Sequence, residues 1–304
     1  MGRRGVDIIM DASLPSVHFI PPMLPKLVEE PPSGAGWIHE IKHDGWRLQI
    51  AINREDVRAF TRKGLDYSEQ MAPLIRAARS LPCASALLDG EVIVQREGSQ
   101  SDFPALRAAI AKASDQLIFY AFDLLHLDGL DLRRMELQAR KARLQSLVGV
   151  PDSLSKIQFS EAIAADGPAV FEAACPMELE GIVSKKATSH YRSGVSPAWL
   201  KTKCYDETEF VVIGAEREPG KPAFALLARD SEDGLKYAGS AFLTLGGADR
   251  EAFWRQAERL HQDHAPLEML RRKKVRWMAP ELRVLVQHLR GEGMLRHATV
   301  RELR

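Results

Sequence analysis

The sequence has few cysteines and no long apolar stretch. It contains three cysteines in 304 residues, Cys83, Cys175 and Cys204, and their separations match no metal-binding pattern. This usage predicts free thiols in a reducing compartment. No apolar run approaches the ~20 residues of a membrane-spanning helix, and the N-terminal stretch MGRRGVDIIMDAS lacks the apolar core of a secretory signal. The sequence therefore predicts a cytoplasmic protein that does not associate with membranes.

The chain also lacks an excess of charge of one sign. Its 42 lysines and arginines against 41 aspartates and glutamates give a net charge of +1. This balance does not exclude a basic face, because a sum over the whole chain hides clustering. Charged residues at 27% and hydrophobic residues at 45% are ordinary for globular proteins, which excludes disordered and fibrous classes. No glycine-rich phosphate loop or dinucleotide-binding fingerprint occurs, so any phosphate must be held by side chains.

The pattern of the chain changes near residue 205. Before that point, apolar runs such as QLIFYAFDLLHL and LEGIVSKK predict buried strands, and LQARKARLQSL has helical spacing. After it, short strand candidates (EFVVIGAE, FALLARD, LKYAGSAF) accompany one amphipathic helix, DREAFWRQAERLHQ. We therefore expect an α+β protein of two domains. The first, residues 1–204, would have antiparallel sheets with flanking helices, and the second, residues 205–304, would be an OB-type β-barrel.

A lysine occurs where the pattern predicts a strand. In HEIKHDGWRLQI (39–50), Lys42 interrupts a short apolar run, and Asp44-Gly45 then predicts a tight turn before Arg47. Burying an unpaired ammonium costs several kcal/mol or shifts its pKa. The position of Lys42 therefore needs a chemical reason.

Four further stretches place charged residues at or inside buried strands. They are TRKG (61–64), LDGEV (88–92), EGIVSKK (180–186) and WLKTK (199–203). Each by itself has an ordinary structural reason, since Asp-Gly is a common turn and a lysine at a strand end is usually solvated. Together they would gather cations around two carboxylates, namely Lys42, Arg47, Arg62, Lys201 and Lys203 with Glu91 and Glu180. Such a cluster repels itself unless it holds a polyanion and a metal ion.

The same cluster predicts a nucleophile. Neighbouring cations lower the pKa of a lysine, which is one way in which a lysine becomes reactive. A reactive lysine, carboxylates for a divalent cation and cationic side chains together indicate attack on a phosphorus atom.

These five stretches, in this order, resemble motifs of the covalent nucleotidyltransferases, and FYAFDLLHLDG (119–129) resembles a sixth. The whole chain is similar to the bacterial ATP-dependent DNA ligases of the end-joining type. The resemblance implies that Lys42 becomes adenylated and that Asp44 serves the later steps at the nick. It also implies a set of nucleotide-binding residues, which includes Ile41. In this set Glu40 would read the adenine edge and Phe122 would stack on adenine. Arg47 and Arg62 would hold ribose and phosphate, Glu91 the ribose hydroxyls, and Lys201 and Lys203 the α-phosphate.

The resemblance further implies a three-step reaction with ATP and Mg²⁺ or Mn²⁺. Lys42 would take AMP from ATP, the AMP would pass to the 5′-phosphate of a DNA nick, and the 3′-OH would displace it. Glu180 and Glu91 would hold the metal ion. The OB-type domain would close over ATP for the first step and rotate onto DNA for the others.

The C-terminal end departs from the family pattern. The family's last motif is R-x-D-K or a close relative, whereas Arg301 is followed here by Leu303 and Arg304 in the last two motif positions. That motif orients the pyrophosphate, so we expect slow self-adenylation or substitution by Arg296 and Arg304. The sequence predicts no additional DNA-binding, zinc-finger, primase, polymerase or nuclease domain. The resemblance therefore implies a nucleoid-associated monomer that acts on double-stranded DNA with nicks or ends, with a DNA-end-binding partner of the Ku type.

Two alternatives share part of this pattern. An RNA ligase or a GTP-using capping enzyme also carries the first motif, although LDGEV and FDLLHLDG favour a DNA ligase. A non-catalytic DNA-binding protein on the same scaffold would account for the altered last motif. The presence of Lys42, Glu91, Glu180 and Lys201 argues against this second alternative.

Overall fold

A computed structural model of the chain describes residues 16–95, 101–112, 115–149, 155–267, 270–272, 274–290 and 294–304. The N-terminal stretch MGRRGVDIIMDAS, which lacks the apolar core of a secretory signal, lies outside the described residues. The chain divides into two compact units, Met1–Thr202 and Lys203–Arg304. The predicted domain boundary, after residue 204, falls two residues beyond this division.

The first unit has ten strands and four helices within the described residues. The strands are β1 (Met23–Leu27), β2 (Trp37–Ile41), β3 (Trp46–Asn53), β4 (Asp56–Thr61), β5 (Ser85–Ile93), β6 (Ile118–Leu127), β7 (Leu130–Asp131), β8 (Ile157–Phe159), β9 (Gly181–Lys186) and β10 (Gly194–Lys203). The helices are α1 (Ala72–Ala78), α2 (Phe103–Ala111), α3 (Leu137–Val148) and α4 (Gly167–Ala174).

These strands form two sheets. One has the order β4-β3-β5-β6-β7, with β8 beside β6, and the other has the order β1-β10-β9-β2. Most pairs are antiparallel, as predicted, but β1 runs parallel to β10 and β8 runs parallel to β6. The larger sheet buries an apolar core beneath α1, α2 and α3, with Leu48, Leu88 and Leu144 almost inaccessible to solvent. The first unit is thus a sheet-rich α+β structure.

Glycines bring the strands of this unit close together. A Cβ atom on Gly45 would collide with the Val92 carbonyl oxygen, and one on Gly90 would collide with the Phe119 ring. Asp-Gly is a common turn dipeptide, but Asp89-Gly90 lies inside continuous β5, where the pairing with β6 shifts register between these two residues. Gly90 therefore allows neighbouring strands to approach closely and does not form a turn.

The second unit has seven strands and one helix in its described part. They are β11 (Tyr205–Glu216), β12 (Phe224–Ser231), β13 (Gly234–Leu243), α5 (Gly247–Arg259), β14 (His261–Gln262), β15 (Val275–Met278), β16 (Arg283–Leu289) and β17 (Thr299–Leu303). Strand β11 pairs with β12 and β16, β12 with β13, β13 with β17, and β17 with β16, so five strands are linked in a cycle. Phe253 and Ala257 of α5 are buried against the apolar side chains of these strands.

The cysteines do not all match the expectation of free thiols. Cys83 is free, whereas Cys175 and Cys204 are disulfide-bonded. The prediction was wrong for these two residues because a disulfide requires Cβ atoms to be close in the fold, which sequence separation does not report. Among the helices of the described residues, none is long and apolar enough to cross a membrane.

Candidate active site

Lys42 lies just after β2, beside the start of β9. The antiparallel pairing of β2 with β9 places Ile41 opposite Ile182, and the Lys42 N–H donates to the Gly181 carbonyl at 2.9 Å. This register brings the Lys42 ammonium into an ion pair with Glu180, whose side chain is 5% exposed against 20% for Lys42. Lys42 was predicted inside a strand, but β2 ends one residue earlier. The partner that offsets the burial of its charge is Glu180.

A cavity of about 100 Å³ lies beside this pair. Six of the predicted site residues line it, together with five others: Glu40, Ile41, Lys42, Arg47, Glu91 and Phe122, then Pro25, His43, Val183, Lys185 and Trp199. The volume is below the roughly 300 Å³ at which pockets for drug-sized ligands begin. It therefore suits one ring system, and a whole nucleotide would extend beyond it.

Arg47 is held in place by a buried carboxylate and two aromatic rings. Its Nε and Nη2 donate to the two oxygens of Asp89 at 2.9 and 2.7 Å, and its guanidinium lies 4.9 Å from the Phe122 ring centre and 5.7 Å from that of Trp199. Burial alone would lower the pKa of Arg47, but Asp89 raises it above its ordinary value. Arg47 is thus a fixed, permanently charged wall of the cavity.

Glu40 has a network of partners that the sequence did not predict. Lys141 Nζ donates to its Oε1 at 2.8 Å, and Lys185 Nζ donates to its Oε2 at the same distance. The Ser160 hydroxyl also donates to Oε2, at 3.2 Å. Burial would raise the pKa of the Glu40 carboxyl, but the two lysines lower it below its ordinary value. Glu40 is therefore an ionised carboxylate in the cavity wall.

Lys185 has a pKa below the ordinary value of a lysine. Burial lowers it to about 8, against the opposing effect of Glu40. Its ammonium lies 4.4 Å from the ring centres of both Phe122 and Trp199. A lysine of lowered pKa was predicted among the clustered cations, but Lys185 was not in the predicted set, although it lies in the stretch EGIVSKK.

His43 packs behind the nucleophile candidate. Its ring stacks on Tyr120 at 4.3 Å, and the Tyr120 hydroxyl accepts a 2.7 Å hydrogen bond from Gln95. Burial lowers the pKa of His43 to about 4, and Lys42 adds to this effect while Glu40 and Glu180 oppose it. His43 is therefore a neutral ring at neutral pH. Asp44 lies beyond it in the loop between β2 and β3.

Glu91 and Glu180 are the carboxylates predicted to bind metal. Burial raises the pKa of Glu91 to about 8, with Glu180 and Asp89 adding to the effect and Lys42 and Arg47 opposing it. No cluster of three or more metal-ligand side chains occurs among the described residues. Mg²⁺, however, commonly uses one or two protein carboxylates together with substrate phosphates. These two carboxylates fit such an ion, which would favour the ionised form of Glu91.

Other predicted residues do not line the cavity. Arg62 lies exposed in the turn after β4, Lys201 is half-buried on β10, and Lys203 is the buried last residue of that strand. Three arginines belong to the second unit. Arg296 precedes β17, Arg301 on β17 donates to Gln287 at 2.6 Å, and Arg304 lies 3.0 Å from Glu302. The roles given to these residues stay predictions.

Comparison with known proteins decides the family. Residues 22–203, more than half of the chain, match the family described as the ATP dependent DNA ligase domain. The chain belongs to the ATP-dependent DNA ligase family. The predicted resemblance is thus confirmed, and use of ATP follows from membership of this family.

Individual ligases extend the match to the rest of the chain. The protein is 34% identical to the multifunctional non-homologous end joining protein LigD of Pseudomonas aeruginosa, over 99% of this chain and 37% of that protein. The chain thus spans little more than a third of that relative's length. It is 33% identical to the SPbeta prophage-derived DNA ligase-like protein LigB of Bacillus subtilis, over 64% of this chain and 72% of that protein.

A solved ligase structure supports the fold. The structure of mycobacterial DNA ligase D complexed with ATP and MES is 26% identical, with a TM-score of 0.56, and the match covers 93% of this chain and 94% of that one. The prediction of an α+β ligase fold is confirmed at this level.

Proposed function

We propose that this protein joins a 5′-phosphate to a 3′-OH in DNA, using ATP, through AMP attached covalently to Lys42. The observation that carries the proposal is the placement of Lys42. Its side chain is paired with Glu180 and lines the same cavity as Glu40, Arg47 and Phe122. A lysine beside a carboxylate that can act as its base, next to a ring-sized cavity, suits a nucleophile that attacks the α-phosphate of ATP.

In the first step, the lone pair of neutral Lys42 Nζ attacks the α-phosphorus. The P–N bond forms as the P–O bond to the leaving pyrophosphate breaks, and Lys42 becomes a phosphoramidate. The ammonium must first lose a proton, and the Glu180 carboxylate is in direct contact to receive it. Glu40 would accept a hydrogen bond from the adenine amino group, while Phe122 would stack on the base, with Ile41 alongside. Arg47 and Arg62 would contact ribose and phosphate.

In the later steps, AMP passes from Lys42 to the 5′-phosphate, and the 3′-OH displaces it to close the strand. Asp44 would act here, and Lys201 and Lys203 would contact the transferred phosphate. A divalent cation, Mg²⁺ or Mn²⁺, would neutralise charge on the phosphoryl oxygens when bound. Glu180 and Glu91 would hold this cation. Glu91 would also face the ribose hydroxyls.

The proposal includes a two-domain organisation, with a nucleotidyltransferase domain at residues 1–204 and an OB-fold domain at 205–304. The cycle of five strands, with α5 between β13 and the last strands, supports an OB-type barrel. Arg296, Arg301 and Arg304 would orient pyrophosphate in the first step, in place of the family's aspartate and lysine.

The cellular role that fits best is repair of DNA breaks by end joining. The name of the Pseudomonas aeruginosa relative, a non-homologous end joining protein, supports this role. We propose that the protein acts as a monomer on nicked or broken double-stranded DNA near the nucleoid, together with a Ku-type end-binding partner.

An intact-mass measurement tests the first step. The protein, treated with pyrophosphate and then given ATP and Mg²⁺, should gain one AMP, and pyrophosphate should remove it again. A gain of GMP from GTP instead would support the capping-enzyme alternative, and no gain from either nucleotide would support the non-catalytic alternative. Sealing of nicked DNA compared with nicked RNA then separates a DNA ligase from an RNA ligase.

A further inference from the structure

Lys141 is a buried lysine outside all of the motif stretches. It lies on α3, where the buried residues are Leu137, Arg140, Lys141, Leu144 and Leu147. Only 5% of Lys141 is exposed, and its ammonium does not line the nucleotide cavity. A buried ammonium is retained where it has partners that repay its desolvation.

Its partners connect Lys141 to the cavity through one carboxylate. Lys141 Nζ donates to Glu40 Oε1 and to the Ser160 carbonyl oxygen, both at 2.8 Å, and it lies 4.6 Å from the Phe159 ring centre. Lys185 binds the opposite oxygen, Oε2, from the cavity side. Two cations on two elements, α3 and β9, thus fix the rotation of the Glu40 carboxylate and favour its charge.

The charge of Glu40 matters for the choice of base. An ionised carboxylate only accepts hydrogen bonds, whereas a protonated one also donates. Adenine presents an amino donor at position 6, and guanine presents an oxygen acceptor there. An ionised, fixed Glu40 therefore attracts adenine and repels guanine, but a protonated Glu40 would lose this discrimination.

We propose that Lys141 is a positioning residue that sets the preference of this site for ATP over GTP by fixing Glu40 as an oriented acceptor. This inference rests on the proposed function, in which Glu40 faces the base. Without Lys141, the carboxylate keeps Lys185 and Ser160 as its partners among the described residues. Burial then favours its protonated form, so use of ATP falls while the barrier to GTP is removed.

The experiment compares the rates at which the protein attaches AMP from ATP and GMP from GTP. The protein is first freed of bound nucleotide with pyrophosphate, and attachment is then monitored by intact mass. Lys141→Met should lower the ratio of the two kcat/KM values about tenfold or more, the effect of one lost charge-assisted hydrogen bond. Lys141→Arg, which keeps the cation, should retain most of the preference. Lys186→Met is the matched control, because Lys186 is exposed and stacks on Trp37, and its ratio should match that of the unaltered protein.

An equal loss of rate with both nucleotides in Lys141→Met would overturn the inference and leave Lys141 with a structural role. If Lys141→Met does not fold, the inference is tested on the unaltered protein with a different nucleotide. It should prefer ATP about tenfold or more over purine riboside triphosphate, which lacks the 6-amino group, and equal rates would overturn the inference. Failure of the unaltered protein to take up AMP at all would instead refute the proposed function.

Discussion

The Tyr191 hydroxyl donates a 2.6 Å hydrogen bond to Asp89, the carboxylate that binds Arg47. The same hydroxyl accepts a 3.0 Å hydrogen bond from the Met23 N–H. Asp89 has no exposed surface, and water therefore cannot solvate its carboxylate. Arg47 and Tyr191 stabilise that carboxylate instead. The orientation of Arg47 in the cavity thus depends on the segment between β9 and β10 as well as on its own strand.

Removing this hydroxyl should destabilise the first unit. Tyr191→Phe keeps the edge contact with Trp199 but leaves Asp89 and the Met23 N–H each with one partner fewer. We expect a loss of about 1–2 kcal/mol in the free energy of unfolding, measured by urea denaturation. Tyr67→Phe is the control, since the Tyr67 hydroxyl makes no hydrogen bond within the described part of the chain. Equal losses in the two variants would contradict the importance of the Asp89 contact.

The motif stretches predicted part of the cluster, because charges placed at five buried strand ends must be paired with one another to offset their desolvation. Lys42, Glu180, Arg47 and Glu91 were found in this way. Arg62, Lys201 and Lys203 were predicted in the same cluster but do not line the cavity. The predicted strand position of Lys42 was wrong by one residue, since apolar patterning does not locate the end of a strand. Glu91 was predicted as a ribose ligand. The raised pKa of its carboxyl could not be predicted, because it depends on burial, which no local sequence pattern reports.

The partners of Glu40 could not be inferred from those motifs. Lys141 and Ser160 come from α3 and the residue after β8, and their approach depends on how α3 packs on the sheet. One signal was present. Arg140 and Lys141 fall between Leu137 and Leu144 at helical spacing, so they occupy the apolar face of α3. Two cations on a buried face indicate buried acidic partners, here Asp123 and Glu40.

Lys42→Arg should abolish attachment of AMP. Arginine keeps the positive charge beside Glu180 but remains protonated, so it offers no lone pair to phosphorus. Intact mass after incubation with ATP should show no added AMP. As a control for folding, the variant should still seal DNA that already carries the 5′-adenylate, because that step does not require a nucleophilic lysine. Uptake of AMP by Lys42→Arg would show that another residue is the nucleophile.

Glu180→Ala should lose metal-dependent activity far more than stability. In the proposal Glu180 both receives the Lys42 proton and holds the divalent cation, which contributes several kcal/mol to phosphoryl transfer. We therefore expect at least a ~100-fold lower rate of AMP attachment. Exposed Glu172 on α4 provides the control substitution to alanine. A fall in melting temperature that matched the loss of activity would instead show that Glu180 has a structural role, in an ion pair.

His43 should make the protein less stable in mild acid. Its pKa is about 4 in the folded state, because of burial, against 6.5 for the ordinary group. Between these values the unfolded chain binds the proton and the folded chain does not, so stability is lost as pH falls from 6.5 towards 4. At pH 5 the resulting loss in the free energy of unfolding is about 2 kcal/mol. His43→Phe, which retains an aromatic ring for Tyr120, should remove that part of the pH dependence in urea denaturation at pH 5 and 7. An unchanged pH dependence would show that His43 is protonated in the folded protein.

Salt and a Ku-type protein should affect nick sealing and end joining differently. A chain with a net charge of +1 would bind DNA through phosphate contacts from a limited basic face, and each contact releases counterions, so affinity should fall steeply with salt. Nick sealing should therefore proceed alone at low salt, because the intact strand keeps both ends together. Joining of two separate ends should be poor until an end-binding partner raises the local concentration of the ligase.

The measurement is a salt titration of both reactions with and without Ku, with bovine serum albumin as the protein control. If Ku changed neither reaction near physiological salt, the end-joining role would be wrong, and a general nick-sealing ligase would remain.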